Sequence, residues 1–152
     1  MSLPVEFGRS HDYKFLIQRW RKLCNRAGLR MSKVAEINGY SNYEVVSPLM
    51  EICPTFYLSA GIHGDESGAT EGLLKWANLN AHLLRKVPLL IYPCLNPWGL
   101  ERNSRVDAYG HDLNRVWGKP VSPLIKHIIN RTNDLKLQYV LTLHEDFEGQ
   151  GV

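Results

Sequence analysis

Apolar positions near the start of the chain recur with a helical period. Between His11 and Arg26, the residues Phe15, Leu16, Trp20 and Leu23 are spaced along one helix face with basic residues between them, and Gly28 follows as a stop. The period then shortens. Val34–Ile37 and Tyr43–Val46 flank Asn38-Gly39-Tyr40-Ser41-Asn42, which predicts a strand, a turn and a strand paired as a hairpin at a sheet edge. Phe56-Tyr57-Leu58-Ser59-Ala60 is an apolar run closed by Gly61 and predicts a buried strand. From Glu66 to Arg85, Leu73, Leu74, Ala77, Leu83 and Leu84 return to helical spacing, and Pro88 bars any continuation. Leu89–Leu95 predicts a second buried strand, ended by Asn96-Pro97-Trp98-Gly99. The segment from there to Gly118 is polar and without a period. A helix over Pro123–Leu135 and a third apolar strand over Tyr139–Leu143 complete the pattern. Strands alternating with helices predict an α/β fold whose sheet is covered on both faces.

Composition narrows the class of protein. The chain has 152 residues, enough for a single domain over 1–152 with a real core. Its 44% hydrophobic and 22% charged content is that of a globular domain, not a disordered one. The net charge of +3 is too small a bias for a nucleic-acid partner. No apolar run approaches the roughly 20 residues of a membrane-spanning helix. The opening Met1-Ser2-Leu3-Pro4-Val5-Glu6 lacks the charged-then-apolar layout of a secretory signal, so a cytoplasmic protein is expected. Cys24, Cys53 and Cys94 are scattered and odd in number, which suits small core residues in a reducing compartment.

Three polar clusters follow the three apolar strands, and open α/β sheets bind ligands beyond the carboxyl ends of their strands. In the first, Gly61-Ile62-His63-Gly64-Asp65-Glu66, a His and a Glu three apart converge on one ion if the chain turns at Gly64. Taken alone, the same residues also suit a His closing a strand and a Glu in the first turn of a helix. The second cluster runs from Asn96-Pro97-Trp98-Gly99 through Arg105 to Gly110-His111-Asp112-Leu113-Asn114-Arg115. Its arginines suit an acidic substrate group or a developing oxyanion, or equally a solvated loop with surface ion pairs. The third, Leu143-His144-Glu145-Asp146, puts a His at a strand end, where it completes a ligand set begun upstream.

In this order and spacing, HxxE at His63–Glu66, NPxG at Asn96–Gly99, Arg105, GxDLNR at Gly110–Arg115 and the strand-end His144 resemble the zinc carboxypeptidase superfamily. The resemblance covers more than half the chain, from Phe56 to Glu145. It extends to the related succinylglutamate desuccinylase and aspartoacylase group. It implies the amino-terminal part of a three-layer α/β/α mixed sheet of the zinc-carboxypeptidase type, truncated after the third zinc ligand. It also implies an amide hydrolase in which His63, Glu66 and His144 bind Zn²⁺, a known His₂Glu ligand set. Arg105 takes the place of the arginine that polarises the scissile carbonyl. Asn114 and Arg115 take the places of the pair that holds a terminal carboxylate, and Asp112 that of the carboxylate behind the first zinc histidine. The expected partner is a peptide or acyl-amino-acid substrate with a free carboxylate. The longer interval from Arg105 to Asn114 favours the peptidase side.

Departures from the pattern set further expectations. Trp98 stands where an Asp is usual in NPxG, and Asp107 where an Asn is usual before the glycine. The family's general-base Glu, a substrate-capping aromatic and several strands lie well downstream of the third ligand, whereas this sequence ends at Val152. Glu145, Asp146 and Glu148 are the nearby carboxylates. Strand alternation points Glu145 away from the face used by His144. An amino-terminal portion is therefore expected to hydrolyse substrate poorly on its own, and to self-associate through an uncovered sheet edge.

Overall fold

A computed structural model describes residues 8–50, 52 and 54–146. The expectations for Cys53 and Glu148 lie outside the described residues.

The first helix, α1 (Tyr13–Ala27), begins where Asp12 accepts the Phe15 N–H at 2.8 Å, and it ends at Gly28 with φ 68°. Its buried stripe is Tyr13, Leu16, Ile17, Trp20, Leu23, Cys24 and Ala27. Phe15 lies off that stripe, and the Arg9 and Arg19 guanidinium groups sit over its ring at 3.9 and 4.4 Å. The hairpin β1 (Arg30–Ile37) and β2 (Tyr40–Val46) is tighter than the pattern suggests. Its turn is only Asn38-Gly39, with φ 51° and 81°, the two positive values that a hairpin following strand twist requires.

Strand β3 (Thr55–Ser59) leads to α2 (Ser67–Leu79), α3 (Ala81–Leu84) and β4 (Leu89–Tyr92). The single helix expected over Glu66–Arg85 is thus two. It breaks at Asn80, whose side-chain amide donates to the Trp76 carbonyl at 2.8 Å. The segment after β4, which has no period in sequence, contains a helix, α4 (Pro97–Arg102). Asn96 and Pro97 start it: the Asn96 Oδ1 accepts the Gly99 N–H at 2.9 Å, and the proline occupies the first helical turn, where no N–H is needed. After α5 (Pro123–Asn133) comes β5 (Leu137–Thr142).

The sheet order is β1-β2-β4-β3-β5, with β4, β3 and β5 parallel and the hairpin strands antiparallel. The step from β3 to β4 carries α2, and the step back from β4 to β5 carries α5. Because the two crossovers run in opposite directions with one handedness, their helices fall on opposite faces. One core holds Trp20, Leu73, Leu58 and Ile91, and the other holds Tyr57, Leu90, Tyr92 and Ile128, giving the expected three layers. Cys24 and Cys94 are buried, and desolvation pushes both thiols up to about 12, which suits small apolar core residues. No helix among the described residues is long and apolar enough to cross a membrane.

Strand β5 is apolar but not covered: Tyr139, Val140 and Leu141 are 62%, 62% and 56% exposed, and β5 is the outermost strand described. Its apolar run is that of an interior strand, with no charge along its length.

Glycines in helices and loops separate packing from flexibility. A Cβ at Gly64 would collide with the backbone of Gly99 and Leu100, whereas one at Gly72, within α2, would meet nothing within 4 Å. Gly72→Ala should therefore stabilise the chain by about 0.5–1 kcal/mol. Gly64→Ala should destabilise it by more than that, or prevent folding. Urea midpoints for the two variants check the pair, and equal shifts in the same direction would contradict it.

Candidate metal centre

The centre lies where the parallel strands end. Leu58 pairs with Ile91 and Leu141, and Ser59 with Thr142, so the loops after β3, β4 and β5 emerge side by side. Gly61 takes φ 66°, and a Cβ there would stand 2.7 Å from Thr70 Cγ2 and 2.9 Å from Cys94 Sγ. The chain therefore leaves β3 by a turn that needs glycine, pressed against α2 and the end of β4. Gly64 was expected to serve as the flexible point between His63 and Glu66. Its φ is not in the left-handed region, and it is a glycine because α4 packs onto it.

These constraints bring His63, Glu66 and His144 together, with one ligand atom from each lying within 4.8 Å of the others. His63 Nδ1 lies 2.7 Å from Glu66 Oε1, and His144 Nδ1 lies 2.8 Å from Glu66 Oε2. The two rings are 5.1 Å apart. His63 and Glu66 are buried, and His144 is more open. On the far side of the first ring, His63 Nε2 lies 3.2 Å from Asp112 Oδ1. A carboxylate behind one ring nitrogen fixes the tautomer that leaves the other nitrogen's lone pair facing inward. Two imidazole nitrogens and a carboxylate with an open approach beside His144 fit a His₂Glu divalent metal site.

The carboxylates are tuned to stay ionised. Burial alone would raise Glu66, but hydrogen bonds from His63 and His144 outweigh it and hold the carboxyl below its usual range. Asp112 follows the same logic. Its desolvation is outweighed by the Asn114 backbone N–H and by the His63 and Arg105 side chains. Asp112 starts the short turn Leu113–Arg115 by accepting that N–H at 2.9 Å. Arg105 donates from Nε and Nη2 to Asp112 Oδ2 at 3.2 and 3.1 Å. Asp112 thus joins Arg105 to His63.

The remaining expected residues have distinct places. Asn114 is half-buried and lines a cavity of about 280 Å³ with His144, Tyr57, Ile62 and Trp117. Arg115 is exposed and makes no side-chain hydrogen bond or ion pair among the described residues. Glu145 turns away from His144, and its Oε2 accepts the Gly68 N–H at 2.8 Å, at the start of α2. Asn96 braces the loop instead of facing the centre, donating from Nδ2 to the Val106 carbonyl at 3.1 Å. Asp65, inside the HxxE motif but given no role by the sequence, has its Oδ1 buried without a hydrogen-bond partner among the described residues.

The profile of the succinylglutamate desuccinylase/aspartoacylase catalytic domain matches residues 52–146, well over half of the chain. The chain belongs to that family. Within this family domain lie all the residues singled out above, from His63 to His144. Solved structures share its fold. A protein from Shewanella baltica assigned as a metallopeptidase is 29% identical with a TM-score of 0.74, over 90% of this chain and 56% of its own. A second so assigned, from Shewanella denitrificans, is 23% identical with a TM-score of 0.77, over 90% and 53%. A metallo-carboxypeptidase from Pseudomonas aeruginosa, solved with (2-guanidinoethylmercapto)succinic acid, is 25% identical with a TM-score of 0.64, over 85% and 39%. The chain therefore spans about half the length of the Shewanella proteins. No curated protein matches it.

Asp112 makes a pH prediction. Its carboxyl is lower in the folded than in the unfolded state, so in the interval between the two the unfolded chain binds more protons. The stability it contributes is present above the unfolded value of about 3.9 and is lost as pH falls through the folded one. In metal-free protein, Asp112→Asn should flatten the fall in stability below about pH 4. Denaturation midpoints at a series of pH values check this, and an unchanged acid slope would refute it.

Proposed function

We propose that this chain forms the metal-binding part of a zinc-dependent hydrolase that cleaves an amide bond in substrates with a free carboxylate. The observation that carries the reading is the meeting of His63 Nδ1 and His144 Nδ1 on the Glu66 carboxylate, with Asp112 behind His63. His63, Glu66 and His144 would hold the ion. When bound, zinc supplies Lewis acidity toward a carbonyl and lowers the pKa of a water. Arg105, bonded to the Asp112 carboxylate behind the His63 ring, would donate to the carbonyl oxygen as charge develops there. Asn114 and the exposed Arg115 would take the carboxylate. The succinic acid derivative in the Pseudomonas aeruginosa structure supports recognition of carboxylates in this fold.

Two substrate classes fit. A C-terminal peptide bond is favoured by the interval between Arg105 and Asn114 and by the metallo-carboxypeptidase among the relatives. An N-acyl amino acid is favoured by the family profile over residues 52–146. Kinetics of the intact enzyme on C-terminal peptides and on N-succinyl and N-acetyl amino acids separate the two.

Zinc should bind at about one ion per chain, the stoichiometry of a site with three protein ligands and one open position. His63→Ala and His144→Ala should each abolish tight binding in a titration. Stoichiometric zinc in the double variant would overturn the ligand set.

In the intact enzyme, Arg115→Ala should raise KM for free-acid substrates and spare amidated ones. Arg105→Ala should chiefly lower kcat. Equal effects of Arg115→Ala on both substrate forms would remove its role.

The 152-residue chain alone should turn over little even with zinc. Glu66, Asp112 and Glu145 are all engaged, Asp65 has no acid/base role assigned to it, and a site without a positioned acid/base typically loses about 10²–10⁴ in rate. Turnover abolished by a chelator and restored by zinc would contradict this, and Asp65 would then be the first carboxylate to substitute.

A further inference from the structure

A second, smaller cavity, of about 20 Å³, lies away from the metal centre, where β2, the cap of α4 and the start of α5 meet. Its polar lining is Asn42, Asn96, Asp107 and Ser122, with Leu95 and Leu113 among its apolar walls. Two of these side chains carry an unsatisfied buried atom. Asn42 is 0% exposed and Ser122 is 5% exposed, and neither Asn42 Oδ1 nor Ser122 Oγ has a hydrogen-bond partner among the described residues. The Asn42 amide nitrogen faces the Cys94 and Leu95 carbonyls at 3.5 and 3.4 Å, so that side of the side chain is accounted for.

Ser122 is the more telling of the two. It occupies the cap position of α5, where a serine hydroxyl ordinarily accepts a helix N–H, yet it makes no such bond. A hydroxyl that forgoes the cap and is buried without a partner loses hydrogen bonding twice over. Asp107 lines the same cavity. It accepts from the Tyr109 and His111 backbone N–H groups at 2.9 and 2.8 Å and lies 3.3 Å from His111 Nδ1, which leaves acceptor capacity on Oδ2.

We propose that this cavity is a binding site for one structural water, hydrogen-bonded to Asn42 Oδ1 and Ser122 Oγ. The size fits, since a water needs roughly 10–15 Å³ of such space and two to four polar partners. A bare cation fits less well. Beyond one carboxylate that is already engaged, the lining side chains offer an amide, a hydroxyl and the Asn96 side chain, whose two ends are spent on Gly99 and Val106. The water ties β2 to the start of α5, beside the turn built on Asp107 in the loop that carries Arg105 and Asp112.

The sign of a single substitution tests the proposal. If Ser122 holds a water, Ser122→Ala should raise the unfolding constant of the metal-free chain about fivefold or more, the loss of one satisfied buried hydrogen bond. If the hydroxyl is simply unpartnered, its removal should leave that constant unchanged or lower it, and the proposal fails. Asn42 and Ser122 have no bond to each other, so only a shared partner couples them. Asn42→Ala combined with Ser122→Ala should fall short of the product of the single effects by at least about threefold. A simple product overturns the proposal. A crystal structure of the unsubstituted chain near 1.5 Å gives a readout independent of variant folding. One oxygen within about 3.2 Å of both atoms is expected. A dry cavity, or a sodium ion marked by shorter contacts and a stability that follows sodium over potassium, overturns it.

Discussion

The buried Glu66 carboxylate is the interaction on which the rest of the described structure depends. An ionised carboxyl taken out of water is unstable unless charge or hydrogen bonds meet both oxygens. Here each oxygen meets an imidazole nitrogen, one from three residues upstream and one from the far end of the sheet. Satisfying it requires β3 and β5 to be neighbours in register, α2 to begin at Ser67 and the chain to turn sharply at Gly61. A cation placed between the three groups would meet the same requirement.

Around that carboxylate the fold is arranged to limit movement. Gly61 and Gly64 are held against Thr70, Cys94, Gly99 and Leu100 with no room for a side chain. Asn96 caps α4 and braces the loop at Val106, so the helix that presses on Gly64 and the loop that delivers Arg105 share one anchor. Asp112 closes the circuit by joining Arg105, the Asn114 backbone and His63. Residues far apart in sequence are thus coupled through direct polar links. Glu145 belongs to the scaffold as well, since it satisfies a donor at the start of α2, where helix geometry leaves such groups unpaired.

Much of this was legible from residue patterns, and the reasons differ by element. The α1 stripe and the Gly28 stop follow from helical period and left-handed preference, which are local properties. The Asn38-Gly39 turn was set too wide, because its two-residue form depends on pairing of Ile37 with Tyr40 and not on composition alone. Asn80 broke a helix whose apolar spacing continued through it. An Asn followed by Pro suits both the end of a strand and the start of α4, and composition alone does not separate the two.

The sequence by itself determined the element types, the two-sided sheet and the order of the chemically active clusters, because periodicity and strand-end placement are properties of contiguous residues. The superfamily was equally legible, since HxxE, GxDLNR and a strand-end His stand in order along the chain, and the family matched over residues 52–146 is the group expected as the related alternative to the peptidases. Only the tertiary structure decided why Gly64 is a glycine, that Asn96 is a brace, and that β5 is exposed despite an interior strand's composition. It likewise decided that Asn42 and Ser122, 80 positions apart as numbered, face one cavity. Each of these depends on what a distant segment places against the residue, and that is set by packing across the sheet, which no local pattern encodes.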